Sequence, residues 1–404
     1  MKTYERLIKY AKFPTASDES NENCPSTKKQ FDLARALETE LKELGCTDVE
    51  LDENCYLFAT IPASEGFESV PTIGFIAHMD VSPEVPDSPV SPKVVNYNGG
   101  DIELGDGIVM READYPILSK YHGKTLITTD GTTLLGADDK AGIAEIITAA
   151  EILQNDKSIK HGRIRIGFTP DEEIGRGADK FDVEKFDAKF AYTVDGASFG
   201  EVDYETFNAS ALRVDITGKS IHPGDAKDKM VNASIVATEY IGLLPPLERP
   251  EHTSGYQGFY HLTNMEGSVE TATLHFILRD HDYKKLEEKQ EIAKRAADEL
   301  NKKYGEGTVK IEIKESYRNM REKLEPVFEV VENAYKAVKA LGGEPVSSPV
   351  RGGTDGSRLS FMGLPCPNLG TGSHNHHGRY EFACAEEMEL CTKLVIKIAE
   401  ICAE

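Results

Sequence analysis

Five short clusters rich in histidine and carboxylate residues are spread along the chain. They are His78-Met79-Asp80, Ala137-Asp138-Asp139-Lys140, Asp171-Glu172-Glu173, Thr193-Val194-Asp195-Gly196 and Asn375-His376-His377-Gly378. Each sets an imidazole or a carboxylate at the end of an apolar run or in a tight turn. These are the donors a divalent zinc takes when it keeps a coordination position open for water. One such cluster is weak evidence, since an isolated His-x-Asp is more often a buried histidine bonded to its neighbour. Five in one chain read as a binuclear metallohydrolase.

The clusters divide the chemistry. His78 and Asp80 lie two apart at a strand end, so their side chains leave on the same side. Asp80 is a candidate to hold the second ring nitrogen of a ligating His78 and so fix its tautomer. Asp138 and Asp139 open an alanine-rich helix, where a carboxylate is favoured as an N-cap and by the helix dipole. Two adjacent acids exceed what capping needs, and one of them is a candidate to bridge two metals. No Gly-Lys-Ser/Thr follows, which excludes a P-loop. Asp171, Glu172 and Glu173 would repel one another unless cations neutralise them. Neighbouring acids there can split roles, one ligating and one acting as base. Asp195 closes another apolar run. Of the histidines at 374, 376 and 377, a site with one imidazole per metal needs only one. Outside the clusters, His222 lies in Ser220-Ile221-His222-Pro223-Gly224, and Arg279 ends a strand. Arg351 precedes Gly352-Gly353, which let backbone approach a ligand, and its guanidinium matches a carboxylate.

These residues must be positioned by alternating strands and helices. Helical spacing predicts helices over 4–10, 27–44 and 142–153, and apolar runs predict strands over 57–61, 72–77, 163–168 and 190–194. Three clusters fall at the carboxyl ends of such strands, where ligands gather in α/β sheets. From about residue 208 the order becomes β-α-β-β-α-β, the ferredoxin-like pattern: strands over 211–217, 257–264, 271–279 and 308–315, helices over 232–244 and 283–304. Helices over 326–341 and 386–401 return to the first style. The expected fold is α/β: a mixed sheet flanked by helices over 1–207 and 317–404, with an inserted ferredoxin-like domain over 208–316.

Composition narrows the partners. The 404 residues carry a net charge of −23, which argues against a nucleic-acid backbone as partner. No apolar run approaches the roughly 20 residues of a membrane span. The chain starts without a signal-peptide apolar region, so a cytoplasmic location is expected. Seven cysteines without a CxxC pair exclude a disulfide framework and a thiolate zinc site.

At these motifs the sequence resembles the di-zinc aminopeptidase/carboxypeptidase/aminoacylase superfamily, most closely its peptidase T family of tripeptide aminopeptidases. The similarity spans the whole chain and includes 74–80, 128–131, 134–142, 168–173, 191–196, 258–262, 319–323, 351–356 and 359–368. The resemblance implies two Zn2+ per subunit, replaceable by other divalent metals. His78 and Asp195 would hold one, Glu173 and His377 the other, and Asp138 would bridge them. In related families the bridging Asp is followed by one residue and then Lys, which selects Asp138 over Asp139. His377 is chosen over His376 by the following Gly378 and Tyr380-Glu381-Phe382. It further implies that Asp80 orients His78, that Glu172 is the general acid/base, and that His222 stabilises the oxyanion from the inserted lid. Arg279, Arg351 and Asn232 would contact substrate. Small peptides are the implied substrates, with a dipeptidase or N-acyl amino-acid deacylase as the alternative on the same scaffold. In superfamily relatives the lid histidine reaches a partner subunit, which implies a homodimer through the lid; closure over its own subunit is the other arrangement. A non-catalytic binder would have no use for both Glu172 and Asp80.

Overall fold

The computed structural model describes residues 1–404. Two compact units divide the chain: Met1–Tyr204 with Met320–Ser348 and Thr354–Glu404, and Glu205–Asn319 with Pro349–Gly353. The sequence reading kept 349–353 with the third segment. The piece runs with the second unit because Val350 bridges to Thr206 and Arg351 bonds to Thr253, Gly255 and Gln257.

The first unit is built on a seven-stranded sheet. In spatial order its strands are Thr47–Leu51, Leu57–Ile61, Ile164–Thr169, Ile73–His78, Phe190–Gly196, Asn368–Gly370 and Val202–Asp203. The middle four pair in parallel and the flanking ones antiparallel. Parallel strands are covered on both faces, which is why Ile73–His78 is apolar at nearly every position and buried throughout. Its side chains alternate between two cores: Ile73, Phe75 and Ala77 pack with the helices Thr3–Tyr10, Ala137–Asn155 and Ala385–Ile401, while Ile76 packs with Phe58, Phe181 and Phe186. The carboxyl ends of these strands all open on one edge, and three of the clusters sit there.

A second sheet in this unit was not legible in the sequence. It runs Ser373–His374, Phe382–Cys384, Lys124–Thr128, Lys93–Tyr97. Its first two strands are two and three residues long and hold the loop that carries His376 and His377. Strands that short have no detectable period.

The second unit is a four-stranded antiparallel sheet in the order Phe259–Gly267, Thr271–Asp280, Asn208–Thr217, Val309–Tyr317. With strand order 2-3-1-4 and helices Ala233–Leu243 and Tyr283–Tyr304 packed on one face, it has the ferredoxin-like topology. Leu212, Val214 and Ile216 alternate inward from its central strand. No helix of the chain is long and apolar enough to cross a membrane, and all seven cysteines are free thiols.

Candidate metal centre

His78 is the last residue of its strand and is 2% exposed. Its Nε2 lies 3.0 Å from Asp138 Oδ1 and 3.4 Å from Asp195 Oδ1. Its Nδ1 lies 3.1 Å from the Asp80 carbonyl and 3.5 Å from Asp80 Oδ1, which suits an Nδ1–H donor and leaves Nε2 as the ligating atom. On the other side, His377 Nε2 lies 2.8 Å from Glu173 Oε2 and 3.3 Å from Asp138 Oδ2. One carboxylate therefore shows one oxygen to His78 and the other to His377.

The remaining carboxylates are fixed by the backbone around them. Asp80 is fully buried, and its two oxygens accept the N–H groups of Glu172 and Glu173 at 2.9 and 3.2 Å. The Asp171 oxygens are satisfied without a metal: they take the Ser26 N–H and hydroxyl at 2.6 Å and Gln30 Nε2 at 2.7 Å, tying the N-terminal segment to this turn. Asp139 groups with His78 and Asp195 by distance, within 4.8 Å. Both of its oxygens, however, accept backbone N–H groups, from Gly142 and His78. Asp138 instead turns its two oxygens to the two imidazoles. Gly142 is required here, since a Cβ would stand 1.9 Å from the Val194 carbonyl beside Asp195. His376 bonds Ser373 Oγ through Nε2 at 2.9 Å, while its Nδ1 lies 3.6 Å from Asp138 Oδ2, farther than His377 and without His377's contact to Glu173. His377 and Asp171 both hold positive φ, 60° and 58°. Such backbone costs a non-glycine residue roughly 1–2 kcal/mol and is concentrated at functional sites.

The electrostatics describe a site short of positive charge. Burial pushes the carboxyls of Glu172 and Asp139 well above the ordinary range, raises Glu173, and lifts Asp195 to about 6. Burial acts on Asp138 the same way, but the imidazoles of His376, His377 and His78 outweigh it and hold that carboxyl well below its usual value. His377 is raised to about 11 by its bonds to Asp138 and Glu173. Glu173 Oε1 is buried with no hydrogen-bond partner. Oxygen and imidazole donors converging around an orphaned carboxylate oxygen fit divalent metal ions.

Residues 129–401 match the model of peptidase family M20/M25/M40. A curated peptidase T from Caldanaerobacter subterraneus subsp. tengcongensis is 54% identical over 403 residues, covering 99% of this chain and 98% of the relative. A peptidase T from Clostridium perfringens (strain 13 / Type A) is 52% identical, covering 100% and 99%. The chain belongs to the peptidase T family of M20 peptidases. It is an exopeptidase, a hydrolase acting on peptides. The crystal structure of aminopeptidase PepT from Bacillus cereus ATCC 10987 superposes with a TM-score of 0.79 at 25% identity, covering 100% of this chain and 98% of that one. Bacillus subtilis YXEP, a dinuclear metal-binding M20 peptidase, shares the fold with a TM-score of 0.64 at 15% identity, covering 99% and 98%.

Several residues of this M20 chain bear on the site without having been singled out. Asp355 is buried, accepts the Thr169 hydroxyl at 2.8 Å, and is pushed up to about 6 by burial close to Glu172. Its sequence signal is the Arg351–Gly356 motif, in which the arginine and glycines are the more conspicuous residues. Glu381 contacts the backbone before Asp138; an acid inside Tyr-Glu-Phe gives no local hint of that. In the second unit, His222 is exposed, and its Nδ1 accepts from Gly224 N–H at 3.2 Å. Arg279 lies over the Tyr317 ring, 5.2 Å from its centroid. Asn232 caps the helix Ala233–Leu243 through the N–H groups of Ser234 and Ile235. Arg351 is spent on carbonyls of Gly255 and Gln257 and on the Thr253 hydroxyl, each at 2.8 Å.

Proposed function

We propose that the protein is a two-metal tripeptide aminopeptidase that releases the N-terminal residue, with zinc as the metal. The observation that carries the reading is the Asp138 carboxylate placed between His78 and His377, beside a Glu172–Glu173 pair clamped by Asp80. His78 and Asp195 would hold one ion, Glu173 and His377 the other, with Asp138 shared. Bound there, the ions would polarise the scissile carbonyl and lower the pKa of water toward roughly 7.

The chain's own groups supply the rest. Asp80 holds the Glu172 backbone, so the Glu172 carboxylate is aimed rather than mobile. Glu172 takes a proton from the attacking water and returns it to the leaving amine. Its raised proton affinity, set first by burial, suits a group that must gain and lose a proton in one cycle. His222 donates to the oxyanion from the second unit. Arg279, Asn232 and Arg351 are the substrate-contact candidates, each already engaged within its own unit, Arg279 over Tyr317 and on the Leu278 carbonyl.

The substrate class is tested with metal-loaded protein and four compounds: a tripeptide, a dipeptide, an N-acetylated tripeptide and an acyl amino acid. The tripeptide alone should be cleaved efficiently, giving a free amino acid and a dipeptide by mass. Efficient deacylation without tripeptide cleavage would replace this reading by the deacylase alternative.

His222→Ala should lower kcat sharply at unchanged metal content. Mixing it with Glu172→Gln protomers decides the direction of donation. Recovered activity in mixed dimers means donation to the partner subunit, and none means donation within the subunit. Unchanged kcat in His222→Ala would remove His222 from the mechanism.

A further inference from the structure

His78 and Asp195 are held by the ladders of a parallel sheet, and Glu173 by the Asp80 clamp. Asp138 has no such support. It lies within the first turn of Ala137–Asn155, yet its backbone is not helical (φ −83°, ψ 104°), nor is that of Asp139 (φ −119°, ψ 32°). Gly136 before it is left-handed (φ 73°). Backbone N–H groups at a helix start have no intrahelical acceptor. Here one carboxylate accepts from Asp138 in that first turn and from two residues just before it. Glu381 Oε2 takes the N–H of Leu135 at 2.9 Å and of Gly136 at 2.7 Å, and Oε1 takes the N–H of Asp138 at 2.9 Å. Glu381 is 1% exposed.

The same residue closes the loop that carries His377. Its own N–H donates to the Gly378 carbonyl at 3.2 Å, and Asn375 Nδ2 donates to the Tyr380 carbonyl at 3.1 Å. One carboxylate thereby fixes the segment presenting Asp138 to the loop presenting His377, 243 residues apart in sequence from Asp138 to Glu381.

We propose that Glu381 is a positioning residue for the metal centre: its carboxylate sets the Asp138 backbone so that the two oxygens of Asp138 face His78 and His377 at once. The inference rests on the reading of Asp138 as the shared ligand. An isosteric amide keeps the volume but offers one acceptor oxygen and turns N–H groups toward N–H groups, so Glu381→Gln is the test. Removal of an outer partner of this kind costs roughly 10–100-fold in metal affinity.

The experiment titrates metal-free wild-type and Glu381→Gln proteins with Zn2+ against a competing chelator, and records melting temperatures with and without Zn2+. The expected result is a Zn2+ affinity at least about tenfold weaker and a smaller Zn2+-induced rise in melting temperature, with the metal-free melting temperature little changed. Simple helix capping would do the opposite, lowering the metal-free melting temperature while leaving affinity intact. Affinity within twofold of wild type overturns the proposal, as does a Glu381→Gln chain that fails to fold even in excess Zn2+. Should the wild type itself bind less than one equivalent, the two-metal reading falls, and this inference with it.

Discussion

Glu172→Gln protein is expected to bind its metals at wild-type stoichiometry and to lose roughly 10²–10⁴-fold in kcat. The amide has the same shape and can still accept a hydrogen bond, but it cannot take a proton from water. Its backbone N–H still bonds Asp80, so the neighbouring Glu173 stays where it is. The loss should therefore fall on kcat with KM little changed, the pattern of a contact made only in the transition state. Glu173→Gln should behave differently, weakening metal binding, because Glu173 faces His377 at 2.8 Å and carries the orphaned buried oxygen. Metal analysis beside steady-state kinetics separates the two. If the phenotypes were exchanged, base and ligand would have to be exchanged as well.

The second large effect belongs to Asp138. Asp138→Ala removes the carboxylate that faces both imidazoles, so both ions should be weakened together and beyond the roughly 10–100-fold typical of an outer partner. Activity should fall with occupancy and recover only in part at high metal concentration. Asp139→Asn, by contrast, leaves an acceptor for only one of the His78 and Gly142 N–H groups, so it should lose no more than the roughly 10–100-fold of an outer partner. Equilibrium dialysis of both variants is sufficient. Retention of two tightly held ions in Asp138→Ala would mean that the metals do not share this residue.

The parts of this site that could be read from the sequence are those whose signal is local. A histidine or acid that ends an apolar run announces a strand end, and His78, Asp171–Glu173 and Asp195 were placed that way. The choice of Asp138 over Asp139, and of His377 over His376, came from family resemblance, because neighbouring residues of one type have no local distinction. Geometry sets Asp139 apart because both its oxygens hold backbone N–H groups, and His377 apart because one nitrogen faces both Asp138 and Glu173 while His376 faces Asp138 at 3.6 Å. Asp171 reads as part of a charged trio and is a hydrogen-bonded anchor, whose partners Ser26 and Gln30 are some 140 residues away in sequence. Arg351 followed the same rule. Its glycine-flanked motif reads as a ligand loop, while its guanidinium is filled by carbonyls almost 100 residues distant. Contacts made across the chain leave no periodicity behind them.

The clamp from Glu381 to Leu135, Gly136 and Asp138 has a consequence for the chain while it is being made. His78, Asp138, the two glutamates and Asp195 all leave the ribosome early, and domains tend to fold in that order as they emerge. His377 and the carboxylate that sets Asp138 follow only after the whole inserted unit has been synthesised. On the two-metal reading proposed above, a chain interrupted before residue 377 would carry four of the five proposed ligands but neither His377 nor the Glu381 carboxylate, and would not be expected to hold both ions.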